Sequence, residues 1–237
     1  MKTEILNRLL QDRKAKRQFA VLTHMDSGAQ AIVYTDGEIH GDLAVDDNMH
    51  VAALNAVQND RSTTYEGSDG EVFMQIYNPP LRMIIVGAVH ISQPLARMAA
   101  VTGYDVSIVD PRGSFASDDR FPGVHLVNEW PDEAIPGLDP DRRTAIVTLT
   151  HDPKIDDPAL AAVLRSDVFY IGALGSRRTH AARVARLTEA GFSDDEIGRI
   201  HGPVGLALGA ISPAEIAVSI LAQLTQELHR KESAEAA

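Results

Sequence analysis

Beyond Asn78-Pro79-Pro80 the chain repeats one pattern: a short apolar run, a turn, then an amphipathic helix. Leu81–Val86 is apolar throughout except for Arg82, as expected of a strand buried on both faces. A helix over Ile91–Thr102 and a strand at Asp105–Val109 follow, with further strands at Val124–Val127, Ala145–Thr148 and Val168–Ile171. Helices are expected at Pro158–Leu164, with Asp156-Asp157 as its cap, and at Arg177–Ala190. Alternating strands and helices in this order predict a parallel sheet with right-handed crossovers, helices on both faces. Two later helices carry capping boxes, Ser193-Asp194-Asp195-Glu196 and Ser212-Pro213-Ala214-Glu215. The second continues with Ile216, Ile220, Leu221 and Leu224 at helical spacing, so it packs on the sheet.

Upstream of the prolines the pattern differs. A helix is expected over Lys2–Lys16 with Ile5, Leu6, Leu9 and Leu10 on one face. Short strands follow at Phe19–Leu22 and Ala31–Tyr34, with a turn at Thr35-Asp36-Gly37-Glu38. Asp46 or Asp47 caps a helix carrying Val51, Leu54 and Val57, and Val72–Tyr77 is a last strand. Proline cannot donate to a ladder and restricts the residue before it, so the chain is divided here. The expected fold class is α/β: a Rossmann-like parallel sheet flanked by helices (residues 79–230) after a small N-terminal α+β domain (residues 1–78), with 231–237 a disordered tail.

With 33 acidic and 22 basic residues the net charge is −11, which argues against nucleic-acid binding. An anionic small ligand then needs local cations. The absence of cysteine removes disulfides, thiolate zinc sites and a cysteine nucleophile. Met1–Arg17 has no apolar core of a signal peptide, and no apolar run approaches the roughly 18 residues that span a bilayer. A cytoplasmic location without membrane association is expected.

Candidate binding residues lie where strands end. The first turn, Val86-Gly87-Ala88-Val89-His90-Ile91-Ser92, keeps only the first glycine of a dinucleotide fingerprint; Val89 stands where a second glycine would admit a pyrophosphate. Asp110, at the end of the next strand, occupies the place of a ribose-binding acid, and Arg112 beside it can fork onto a phosphate. His151 and Asp152 end the strand at Ala145–Leu149, placed for hydrogen bonding rather than catalysis. Gly172, Gly175, Ser176, Arg177 and Arg178 form a loop and helix start in which two cations oppose the helix dipole, so a compensating anion is the simplest rationale. His201–Ala210 is a glycine-rich apolar loop that packs on backbone or lines a pocket. His90, His151, His180 and His201 show no metal-ligand spacing, so no metal site is expected.

Together these blocks resemble the XdhC/CoxI family, accessory proteins for the maturation of molybdenum hydroxylases. The resemblance runs from Met83 to Leu224. It is carried by Val86-Gly87-Ala88 with His90, Val109-Asp110-Pro111-Arg112, Thr150-His151-Asp152 with Asp156-Asp157-Pro158, the stretch from Tyr170 to Arg178, and Pro213-Ala214-Glu215-Ile216-Ala217. It implies a cofactor-binding chaperone rather than a catalyst, with molybdenum cofactor (molybdopterin or its dinucleotide form) as cargo. The implied partners are a molybdenum hydroxylase apoenzyme and a cofactor sulfurase, and a homodimer is the expected assembly. NAD or NADP is not the expected ligand. The alternatives are a nicotinamide-dependent oxidoreductase and a partner-binding scaffold that has lost its ligand. Two departures stand out. The first turn lacks the family's second glycine, and the family's Gly-Gly-Cys block corresponds to a stretch near Gly41-Asp42-Leu43 without cysteine.

Overall fold

The computed structural model describes residues 2–230. The tail expected to be disordered, 231–237, lies outside them. The chain divides into two compact units between Pro79 and Pro80.

The first unit comprises α1 (Thr3–Lys14), β1 (Phe19–His24), β2 (Gln30–Tyr34), β3 (Ile39–Gly41), α2 (Asp47–Gln58), β4 (Thr63–Gly67) and β5 (Gly70–Tyr77). Its strands form one antiparallel sheet in the order β3-β2-β1-β5-β4. Ala20, Leu22, Val33 and Met74 share a core with Met49, Ala53 and Val57 of α2. Phe19, Val21, Ile32 and Tyr34 share another with Ile5 and Leu9 of α1. With a core on each face, β1 and β2 carry apolar residues at successive positions rather than alternate ones. The helix faces are narrower than the sequence suggests. Leu6 and Leu10 are exposed, as is Val51, because α1 buries an i, i+4 stripe and α2 turns Met49, Ala53 and Val57 inward. Asp46 caps α2, accepting from the Met49 N–H. Gly41 is required where it stands: a β-carbon there would lie 2.1 Å from the Gln30 carbonyl oxygen.

The second unit comprises β6 (Arg82–Val86), α3 (Ser92–Val101), β7 (Asp105–Val109), β8 (His125–Val127), α4 (Pro131–Gly137), β9 (Thr144–Thr148), α5 (Pro153–Val163), β10 (Tyr170–Ala173), α6 (Arg177–Glu189), α7 (Asp194–Gly198), β11 (Ile200–His201) and α8 (Pro213–Leu228). Its six strands are all parallel, in the order β11-β10-β9-β6-β7-β8. Helices α3 and α8 bury Leu95, Ala99, Ala217, Ile220 and Leu224 on one face. Helices α4, α5 and α6 bury Ile135, Leu160, Val163 and Leu187 on the other. This is the expected Rossmann-like α/β architecture. Both capping boxes form, at Ser193 and Ser212. Helix α5 begins at Pro153, earlier than Pro158, because the side chain of Asp152, not Asp156 or Asp157, is its N-cap.

The strand order runs outward from β6 through β7 to β8, and in the other direction through β9 and β10 to β11. The order reverses between β6 and β9, and open α/β sheets bind ligands outside the carboxyl ends of their strands at such a reversal. Because the second unit has its own two-faced core, a fragment beginning at Pro80 should unfold in one cooperative thermal transition. Circular dichroism of the fragment released by limited proteolysis checks this; a fragment without a transition would contradict it.

Candidate functional site

The turn after β6 is tight and internally satisfied. Gly87 adopts φ +107°, and a β-carbon there would lie 2.5 Å from Thr150 Cγ2, so no other residue fits without displacing the next strand end. The Gly87 N–H donates to the Val109 carbonyl (2.8 Å), the Ala88 N–H to Asp110 Oδ2 (2.7 Å) and the Val89 N–H to Ser92 Oγ (3.3 Å). The Ser92 hydroxyl donates in turn to the Gly87 carbonyl. The N–H groups of Gly87, Ala88 and Val89 are thus already used within the protein. Val89 packs against the core beneath α3 and α8. Hydrogen bonding within the turn, as well as the bulk of Val89, therefore narrows what it can offer a pyrophosphate.

Asp110 is completely buried, and its carboxylate accepts from Ala88 N–H and from Arg112 N–H (2.9 Å), Nε (2.8 Å) and Nη2 (2.8 Å). Burial alone would raise its pKa; the Arg112 guanidinium and the two backbone donors outweigh that and hold it below the usual carboxylate range. The carboxylate expected to accept from a ribose is engaged within the protein in this geometry. Its oxygens are spent tying the β6 turn to the end of β7. Arg112 remains partly exposed and stacks over the Phe115 ring at 4.6 Å.

At the end of β9, His151 adopts φ +62° and is exposed. Asp156, on the first turn of α5, holds this bend: it accepts from Thr150 N–H (3.3 Å), Thr150 Oγ (2.6 Å) and His151 N–H (3.1 Å). Asp152 Oδ1 accepts from Lys154 N–H (2.9 Å) as the α5 cap. Asp156 faces Arg183 of α6 at 3.6 Å, the two being 1% and 2% exposed. Arg183 Nη2 also donates to the Leu174 carbonyl (2.9 Å). Burial pushes the Asp156 carboxyl up, against the pull of its Thr150 bonds and Arg183, and pushes the Arg183 guanidinium down.

After β10 the predicted residues separate into two groups. Gly172 is a packing glycine: a β-carbon would lie 2.5 Å from Val204 Cγ2 and 2.8 Å from Tyr170 Cε1. Gly175 turns at φ +146°, and Ser176 caps α6 by accepting from Thr179 N–H (3.1 Å). Arg177 and Arg178 are exposed and form no ion pair among the described residues. The apolar loop that follows β11 packs on α8, with the Leu206 N–H donating to the Ser219 carbonyl (3.1 Å).

All the predicted residues therefore sit at or beside the carboxyl ends of β6, β7, β9 and β10. Gly87, Ala88, Asp110 and Arg112 meet directly, and Gly87 meets Thr150. Arg112 also feels the charges of Asp152 and Asp156. His90 is exposed at the rim. The side chains of His90, His151, Arg177 and Arg178 are exposed, and that of Arg112 is partly exposed beside Asp110. Sequence reasoning missed the Asp156–Arg183 pair. The legible signal was Arg183 itself, four residues before the buried Leu187 on the inward face of α6.

Residues 83–224 match the family model of the XdhC Rossmann domain. Among curated proteins, the molybdenum cofactor insertion chaperone PaoD of Escherichia coli is 34% identical over 66% of this chain and 43% of its own length. A probable xanthine dehydrogenase subunit of Bacillus subtilis is 32% identical over 67% and 46%, and the uncharacterized protein YqeB of Escherichia coli 28% identical over 84% and 40%. The chain thus spans less than half the length of these relatives. A solved structure, a xanthine dehydrogenase from Bacillus halodurans, shares the fold with a TM-score of 0.74 at 24% identity, covering 96% of this chain and 64% of its own.

Proposed function

This chain belongs to the XdhC family, and on that premise we propose that it is a maturation factor that binds molybdenum cofactor and delivers it to a molybdenum hydroxylase. One observation carries the reading. On a protein of net charge −11, the exposed cations Arg177 and Arg178 open a helix at the carboxyl edge of the sheet with no acidic partner among the described residues. A ligand phosphate supplies the missing charge, through charge-assisted and bidentate hydrogen bonds. Molybdopterin carries a phosphate, and its dinucleotide form a pyrophosphate. Arg112, His151 and His90 are assigned contacts to the rest of the ligand. The relative named as an insertion chaperone supports the same direction of transfer. A sulfurase as second partner, a homodimer and action in the cytoplasm complete the proposal. Among the described residues no helix is long and apolar enough to cross a membrane.

An apo-hydroxylase supplied with cofactor-loaded protein should gain activity faster than one given free cofactor at the same concentration. Equal rates would overturn the delivery role. The closed first turn distinguishes this reading from a nicotinamide enzyme. NAD and NADP should bind with Kd above roughly 100 μM, or weaker than about −5.5 kcal/mol. Calorimetric titration checks this; low-micromolar affinity would contradict it. Val89→Gly should tighten binding little, because Ser92 still occupies the N–H at that position.

A further inference from the structure

The Asp156–Arg183 pair lies outside the groups just assigned to the ligand, yet it touches both loops that present them. A buried ion pair is a poor way to add stability, since apolar residues of similar volume commonly do as well. This one is also incompletely satisfied: Arg183 Nε and Nη1 are buried without a hydrogen-bond partner among the described residues. What it does accomplish is geometric. Both oxygens of Asp156 are turned back onto Thr150 and His151. They hold His151 in a left-handed conformation that residues with a β-carbon rarely adopt, and such outliers persist where surrounding structure enforces them. Arg183 fixes the other side, holding the Leu174 carbonyl at the start of the loop that leads to Arg177.

We propose that Asp156, charge-matched by Arg183, is a positioning residue that holds the strained His151 backbone so that its imidazole meets the ligand while the Arg177 loop stays in register. This rests on the carrier reading above. Asp156 contacts no ligand; it acts through His151. Its removal should therefore matter only while His151 is present.

The test is a double-mutant cycle in the full chain with His151→Ala and Asp156→Asn. Its probe is molybdenum cofactor released from denatured xanthine oxidase and kept anaerobic. Each single variant should weaken binding by about tenfold, the loss of one hydrogen bond to a charged partner. The double variant should be no weaker than either single one. Losses that multiply would overturn the proposal. Amide exchange without ligand gives a second readout. In Asp156→Asn the Thr150 and His151 amides should exchange faster while β6 and β9 keep wild-type protection; unchanged exchange at those two amides would also overturn it. Should Asp156→Asn fail to fold, His151→Gly decides the matter. Glycine accepts the left-handed backbone, so Tm should rise by about 2–4 °C while binding falls by about tenfold. Unchanged binding in that variant would overturn the proposal. A wild type that binds no cofactor would remove the carrier reading and this inference with it. Multiplicative losses on a binding wild type would remove the inference alone.

Discussion

Arg183→Met should destabilise the second unit by about 3–5 kcal/mol at neutral pH, the usual cost of removing one member of a buried ion pair. Methionine fills much of the arginine's volume, so the loss is electrostatic rather than a cavity. Asp156 would keep its Thr150 and His151 donors but lose its cation, and the Leu174 carbonyl would lose a donor. The pH dependence follows from the direction of the Asp156 shift. Its pKa is already raised by burial, and without Arg183 it rises further. A carboxyl with a raised folded pKa contributes its stability below the unfolded value and loses it as pH rises through the folded one. The deficit of Arg183→Met should therefore be widest at neutral pH and narrow on acidification. Urea unfolding of wild type and variant across that range measures it. A deficit below about 1 kcal/mol, or one independent of pH, would mean that the pair is not an energetic unit.

Arg177→Ala should bind molybdenum cofactor about 10- to 150-fold more weakly, corresponding to about 1.5–3 kcal/mol for a lost charge-assisted contact. The fold should be unaffected, because an exposed side chain without an ion pair among the described residues is removed and no cavity forms. Arg177→Lys should recover only part of the affinity, since an ammonium cannot reproduce the planar fork. Binding titrations and melting curves on the same preparations separate the two effects. Wild-type affinity in a well-folded Arg177→Ala protein would remove this residue from the site.

The sheet of the second unit was legible because its strands are apolar at nearly every position and each ends in a strong turn signal. Asp105–Val109, bounded by Gly103 and Asp110-Pro111, has the predicted limits. Elements that lack such signals were missed. Strand β3 has three residues and β11 two, while β4 reads Thr-Thr-Tyr-Glu-Gly, an edge strand with little to bury. Helix α4 contains Pro136 and ends at Gly137, both of which read as breakers. At the site, spacing alone located the strand-end residues. It could not say which polar groups were already spent, because that depends on partners distant in sequence. Asp110 looked like a ligand acceptor until Ala88 and Arg112 filled it, and Asp156 looked like a helix cap although Asp152 holds that place.

The most direct test is cofactor content. Wild-type protein purified anaerobically from cells that make molybdenum cofactor, then oxidised to release the fluorescent pterin, should yield close to one pterin per chain. Arg177→Ala prepared in parallel should yield little. A folded wild type carrying no pterin, and unable to take up cofactor added under reducing conditions, would contradict the account.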